Sequence, residues 1–97
     1  MIKIKYNNKK IIISGHANYD KLGSDIVCAS VSSIVYTTIN GILNINSDAI
    51  NYVDETNLVI DVLSDDEIIL KLINNMITLL KELELQYPKN IMISKGE

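Results

Sequence analysis

The sequence predicts a two-layer α+β domain in the order β-β-α-β-β-α-β, with the helices packed on a mostly antiparallel sheet. Two patterns indicate this class: apolar and polar residues alternate over 2–6, as in a half-buried strand, and apolar side chains recur at helical spacing over 26–40 and 65–86. The length of 97 residues provides material for one hydrophobic core. We therefore expect residues 1–97 to form a single domain.

The first two strands are predicted to form a hairpin. Ile2, Ile4 and Tyr6 alternate with lysines, and two asparagines then supply a turn. The returning strand, 10–14, contains three consecutive isoleucines, which predicts a position inside the sheet with both faces covered. The segment 14–24 has a glycine near each end and no apolar period, so we expect a mobile loop.

The first helix is predicted over 26–40. Ser24 or Asp25 is expected to cap it, Cys28 to lie in its first turn, and Gly41 to stop it. Most of its residues are apolar or small, which predicts a buried helix that packs closely on the sheet.

The second half of the chain is predicted to form two strands, a helix and a last strand. Strands are predicted over 49–54 and 58–63, and the residues from Ser64 to Glu67 form a capping box before the helix 65–86. A proline ends that helix, and 90–94 forms a last strand. Apolar residues cover more than one face of the second helix, which indicates either unusually complete burial or the seam of a homodimer, with the dimer favoured.

Composition and charge exclude several classes of protein. Nine lysines and no arginine oppose twelve acidic residues, giving a net charge of -3, which argues against direct nucleic-acid binding and favours a basic partner. No signal sequence and no run of 18 apolar residues is present, so we expect no membrane association and a cytoplasmic protein. One cysteine and one histidine make a structural metal site improbable, and no cofactor is expected.

The cysteine and the histidine are the residues with the most reactive chemistry. Cys28 near a helix N-terminus lies at the positive end of the helix dipole, which favours the thiolate. His16, twelve residues earlier, could accept and return a proton, and free backbone N–H groups could bind an oxyanion. Asp25, Cys28 and Ser32 are spaced to share one helical face, where the carboxylate could orient the imidazole.

Residue type alone also allows an inert interpretation. A single cysteine in a helix of small residues is most often a buried space-filler, and a lone histidine in a loop is most often solvated. Asp25 could be only a capping acid, Ser32 only a packing hydroxyl, and Tyr36 a boundary residue with no substrate contact. Composition does not separate these interpretations from catalysis.

The segment Gly15-His16-Ala17, followed by Tyr19 and by Gly-Ser-Asp-Ile-Val-Cys-Ala-Ser-Val-Ser over 23–32, closely resembles the signature of the ribosomal-processing cysteine proteases of the Prp family. The similarity in element order extends over the whole chain. It implies a homodimeric α+β fold.

The same resemblance implies specific roles for the site residues. Cys28 is expected to be the nucleophile and His16 its base. Gly15 is expected to be a hinge of the loop that carries the base, while Asp25 and Ser32 support the site.

The resemblance also implies the substrate. Family members remove a short N-terminal extension, after an aromatic pair and before a basic tail, from large-subunit ribosomal protein number twenty-seven. We hypothesise a cysteine endopeptidase, and the alternative is a non-enzymatic ribosome-associated binding module or assembly factor. A thiol redox sensor has little support because the chain has no second cysteine.

Overall fold

The computed structural model describes residues 1–15 and 24–96. The predicted order of strands and helices is confirmed. The elements are β1 (Ile2–Tyr6), β2 (Lys10–Ser14), α1 (Ser24–Ile45), β3 (Ile50–Asp54), β4 (Leu58–Val62), α2 (Glu67–Gln86) and β5 (Ile91–Lys95).

The five strands form one sheet in the order β3-β4-β2-β1-β5. Four neighbouring pairs are present, and three of them, β1–β2, β2–β4 and β3–β4, are antiparallel, while β1 and β5 are parallel. The prediction of a mostly antiparallel sheet is therefore confirmed. Strand β2 lies inside the sheet between β4 and β1, as its run of isoleucines predicted.

The hydrophobic core lies between one face of the sheet and the two helices. Strand register places Ile4 beside Ile13 and Ile93, and Ile11 beside Ile60, so these residues share a face. Ile4, Ile11 and Ile60 are fully buried. The helices complete the same core with Val27, Val31, Val35, Ile39 and Ile42 of α1 and with Ile69, Ile73, Met76, Ile77 and Leu80 of α2.

Helix α1 is longer at both ends than predicted. It begins at Ser24, two residues before the predicted start, and the side chains of Ser24 and Asp25 lie outside the described part of the chain, so the predicted cap stays a prediction. It also continues through Gly41 to Ile45, so the predicted stop at Gly41 is wrong. Gly41 is exposed, and the fully buried Ile42 beyond it anchors the last turn in the core. Burial of that side chain outweighs the roughly 1 kcal/mol by which a helical glycine is disfavoured.

Helix α2 begins two residues later than predicted. Asp66 is its N-cap, because the Asp66 carboxylate accepts a hydrogen bond of 2.8 Å from the backbone N–H of Ile68. Ser64 Oγ instead accepts from the backbone N–H of Asp66 at 3.0 Å. The predicted capping box between Ser64 and Glu67 is therefore wrong. The helix ends at Gln86, in agreement with the stop expected before Pro88.

One described helix is long and apolar enough to cross a membrane by length and composition. It spans Ile26–Ile45, with a mean hydropathy of 1.6 in its most apolar window. The expectation that no segment qualifies for a span therefore fails on this criterion. Core helices of soluble proteins and signal sequences pass the same test. One stripe of this helix, from Val27 to Ile42, belongs to the core, and 28% of the apolar window is buried, so the predicted burial holds for one face of the helix only.

Candidate active site around Cys28

A cleft of about 440 Å³ lies between the N-terminal half of α1 and one end of the inner sheet face. Its floor is apolar, and its rim is polar and acidic. It is lined by Ile2, Ile13, Gly15, Cys28, Val31, Ser32, Val35, Tyr36, Asp54, Glu55, Thr56 and Leu58. Strand β1, the end of β2, helix α1 and the β3–β4 hairpin all contribute to it.

Cys28 lies on the helix wall of this cleft. It is a free, half-buried cysteine that packs against the core while also lining the cleft. Because α1 begins at Ser24, Cys28 is its fifth residue, and the prediction that it lies in the first turn is wrong by one residue. Side chains on a helix tilt toward its N-terminus, so the thiol is directed toward the turn whose backbone N–H groups have no acceptor within the helix.

The structure brings Cys28 and Ser32 together, as their helical spacing predicted. The two residues are one turn apart and line the same cleft, with Ser32 exposed at its rim. Asp25 is the second residue of α1, and its side chain lies outside the described part of the chain. His16 also lies outside the described residues, as does most of the predicted loop 14–24.

Gly15 is the last described residue before the segment that contains His16, and it lines the cleft. Its φ of +79° lies in the left-handed region, which L residues with a side chain rarely adopt. A Cβ atom here would also collide with the backbone carbonyl oxygen of Met1. The fold therefore requires glycine at the point where the chain leaves β2 toward His16.

The far wall of the cleft is tied to α1 by a side-chain hydrogen bond. The Tyr36 hydroxyl donates to the carboxylate of Asp54, at the end of β3. The Tyr52 ring packs edge-on against Tyr36, with centroids 6.2 Å apart and an interplanar angle of 82°. This hydrogen bond, followed by partial burial, raises the pKa of Tyr36 to about 12, so the phenol is protonated at neutral pH.

Sequence reasoning missed Asp54 and treated Tyr36 as a boundary residue. Tyr36 and Asp54 are 18 residues apart and lie on different elements. Their contact depends on how α1 packs over β3, and no local pattern in the sequence carries that information.

The charged residues among those that line the cleft are Asp54 and Glu55, both exposed acids. Their position gives the cleft a negative rim that complements a basic peptide. Within 1–15 and 24–96, no group of three or more His, Cys, Asp or Glu side chains is arranged to hold a metal ion. The described chemistry of the cleft is therefore that of a thiol, hydroxyls and carboxylates.

A family model described as cysteine protease Prp matches residues 1–92. The chain belongs to this family. The match spans every described element except the last residues of β5, so the Prp resemblance seen in the sequence is confirmed. The family is one of cysteine proteases, and Cys28 is the single cysteine of this chain.

Relatives with curated names agree with this assignment. The ribosomal processing cysteine protease Prp of Staphylococcus aureus is 29% identical over 90 residues, which cover 87% of this chain and 83% of that protein. The protein of the same name from Mycoplasma pneumoniae is 50% identical over 36 residues, covering 37% and 36% of the two chains.

Solved structures of Prp confirm the predicted fold. A structure of the Staphylococcus aureus protein with a substrate peptide has a TM-score of 0.84 at 21% identity, covering 98% of this chain and 97% of that one. A second structure of the same protein, with a covalently linked product peptide, has a TM-score of 0.79 at 26% identity and the same coverage.

Proposed function

We propose that this chain is a cysteine endopeptidase in which Cys28 is the nucleophile and His16 the general base. The observation that carries the proposal is that Cys28 lines a cleft that also reaches Gly15, the residue directly before His16 in the chain. The thiol is thus accessible from the cleft and not sealed in the core. The family match and the Prp structure with a covalently linked product support the same assignment.

The proposed reaction has two steps. His16 takes the thiol proton, the sulfur of Cys28 attacks the scissile carbonyl carbon, and the resulting oxyanion accepts hydrogen bonds from backbone N–H groups in the first turn of α1. The C–N bond then breaks, and His16 returns the proton to the departing amine. Water, deprotonated by His16, hydrolyses the remaining thioester, releasing the second product and restoring the thiol.

Three further residues support this arrangement in the proposal. Asp25, near the start of α1, orients the imidazole, and Ser32 supports the cleft wall one turn after Cys28. Gly15 is the hinge of the segment that carries His16, and its left-handed backbone supports that role.

The proposed substrate is the N-terminal extension of large-subunit ribosomal protein number twenty-seven, cut after an aromatic residue. The relatives named as ribosomal processing proteases support the substrate class. The apolar floor formed by Ile2, Val31 and Leu58 suits an aromatic ring, and the acidic rim of Asp54 and Glu55 suits a basic segment. We also propose that the protein is a cytoplasmic homodimer that acts without a cofactor. Cell fractionation tests the location, and a membrane-bound pool alone would contradict it.

The test of the reaction is cleavage of a peptide that contains the extension and its junction. We expect one cut by the wild type and none by Cys28→Ala or His16→Ala, with mass spectrometry of the products as the measurement. Ser94→Ala is the matched control, because Ser94 is exposed on β5 and lies outside the cleft, and it should cleave like the wild type.

Equal turnover by the wild type and Cys28→Ala would contradict the assignment. Binding of the peptide without cleavage by the wild type would favour the alternative function of a ribosome-associated binding module. Alkylation of the thiol provides a second measurement, since an activated Cys28 should react faster than free cysteine at neutral pH.

A further inference from the structure

The cleft has two walls that come from distant parts of the chain. Helix α1 carries Cys28 and Tyr36, whereas Asp54 and Glu55 belong to the β3–β4 hairpin. The hydrogen bond from the Tyr36 hydroxyl to the Asp54 carboxylate joins these walls. The combined length of these two side chains therefore sets the distance between the helix and the hairpin at this end of the cleft.

Tyr36, which donates this hydrogen bond, lies well along α1 from Cys28. Cys28 and Tyr36 are separated by two turns of one helix, which is about 12 Å along its axis at a rise of about 1.5 Å per residue. An extended peptide covers that distance in about three to four residues, at about 3.3 Å each. At that spacing, Tyr36 is placed to act on a peptide residue several positions from the scissile bond.

The hydrogen bond between Tyr36 and Asp54 holds this end of the cleft in one conformation. Asp54 is an exposed carboxylate that accepts a hydrogen bond from the Tyr36 hydroxyl, and the Tyr52 ring packs edge-on against the Tyr36 ring. A hydrogen bond to an ionised acceptor is stronger than one between neutral groups, although solvent exposure reduces its contribution. The hydrogen bond therefore holds the β3–β4 hairpin in place and leaves it accessible to a bound peptide.

We propose that Tyr36 is a positioning residue that holds the β3–β4 hairpin against α1 and thereby aligns the distal part of an extended peptide substrate. The proposal rests on the proposed endopeptidase function, because it assumes that the peptide passes from Cys28 along α1. Tyr36 contributes to peptide binding through Asp54 and takes no part in bond breaking.

The test compares Tyr36→Phe with the wild type on three peptides. One peptide extends at least five residues on both sides of the scissile bond, and each of the other two is truncated to two residues on one of the two sides. For the long peptide we expect KM to rise about three- to ten-fold, with kcat within about two-fold, as for the loss of one hydrogen bond that is partly exposed. Truncation on the side that lies along α1 should abolish the difference between the two proteins.

Variants of Asp54 separate the effect of its hydrogen bond to Tyr36 from the effect of its charge. Asp54→Asn keeps an oxygen acceptor for the Tyr36 hydroxyl but removes one charge of the acidic rim, so its KM should stay near that of the wild type on a long peptide without basic residues. On that peptide Asp54→Ala should behave like Tyr36→Phe, and the double variant should be no worse than either single one, because both remove the same bond. Tyr6→Phe is the matched control, since it deletes a phenolic hydroxyl from outside the cleft.

Four results would overturn the inference. These are a fall in kcat at constant KM, an effect on both truncated peptides equal to that on the long one, an equal effect of Tyr6→Phe, and a KM for Tyr36→Phe equal to that of the wild type. Failure of the wild type to cut any of the peptides would instead overturn the endopeptidase function, and the inference with it. Thermal unfolding of each variant verifies that it is folded at the assay temperature.

Discussion

Gly15 shows how a single residue shapes the route from the sheet to the candidate site. Its left-handed backbone and the close approach of the Met1 carbonyl leave no room for a side chain. Gly41, in contrast, lies within a helix, and a Cβ built on it meets no atom within 4 Å. Substitution by alanine should therefore change the free energy of unfolding in opposite directions at these two glycines.

We expect Gly15→Ala to lower the free energy of unfolding by at least about 1–2 kcal/mol, which is the cost of placing an L side chain in the left-handed region. Because the displaced backbone adjoins the segment that carries His16, kcat/KM should also fall. Denaturant unfolding and peptide cleavage are the measurements. The control Gly41→Ala should stabilise the protein by up to about 1 kcal/mol, because helix propensity rises at an exposed position. Equal stability of Gly15→Ala and the wild type would contradict the structural requirement.

At the scale of single elements, the hydrophobic period predicted strands better than helix ends. Strands β1 and β2 coincide with their predicted bounds, since alternation and turn residues are local signals. The end of α1 was predicted wrongly at Gly41, because the burial of Ile42 is a tertiary effect that the sequence does not display. The shared face of Cys28 and Ser32 was predictable because helical spacing fixes it.

The start of α2 shows the same distinction between a local motif and the contacts actually made. Ser64 and Glu67 satisfy the capping-box pattern, yet Asp66 accepts the bond from Ile68. Glu67 instead pairs with Lys71 at 3.2 Å, where both side chains are exposed. An exposed pair of this kind contributes little to stability.

We therefore expect Asp66→Ala to lower the free energy of unfolding by about 0.5–2 kcal/mol, the usual effect of removing an N-cap. Glu67→Gln is the control and should change it by less than about 0.5 kcal/mol, because only the exposed ion pair is lost. Urea denaturation measures both. A larger effect for Ser64→Ala than for Asp66→Ala would mean that Ser64 caps the helix, as the capping box predicted from the sequence requires.

At the scale of the whole molecule, the sequence predicted the layers but not how the elements meet. The parallel pairing of β1 with β5 joins strands separated by almost the full chain, and no residue pattern specifies it. The same holds for the tie between Tyr36 and Asp54 across the cleft. Long-range pairings of this kind follow from the packing of both helices on one face.

Several large apolar side chains remain exposed in the single chain. They include Leu63 at 64%, Ile68 at 60% and Leu85 at 81% relative exposure. A domain of this size buries only about 60–65% of the surface of its unfolded chain, so association is a natural way to cover such residues. These exposures support the proposed homodimer.

We accordingly expect sedimentation equilibrium to give a mass near twice the 10.9 kDa of one chain. The mass should decrease toward that of one chain on dilution if the association is reversible. A mass of 10.9 kDa at all protein concentrations would contradict the dimer.

The pairing of β1 with β5 determines when the cleft floor is completed during synthesis. Ile2 forms part of the cleft floor, and its strand partner is Ile91. A nascent chain therefore lacks the strand that supports this floor from the side until β5 has been synthesised and has left the ribosomal exit tunnel. The cleft floor at Ile2 is therefore completed only when the last described strand pairs with the first.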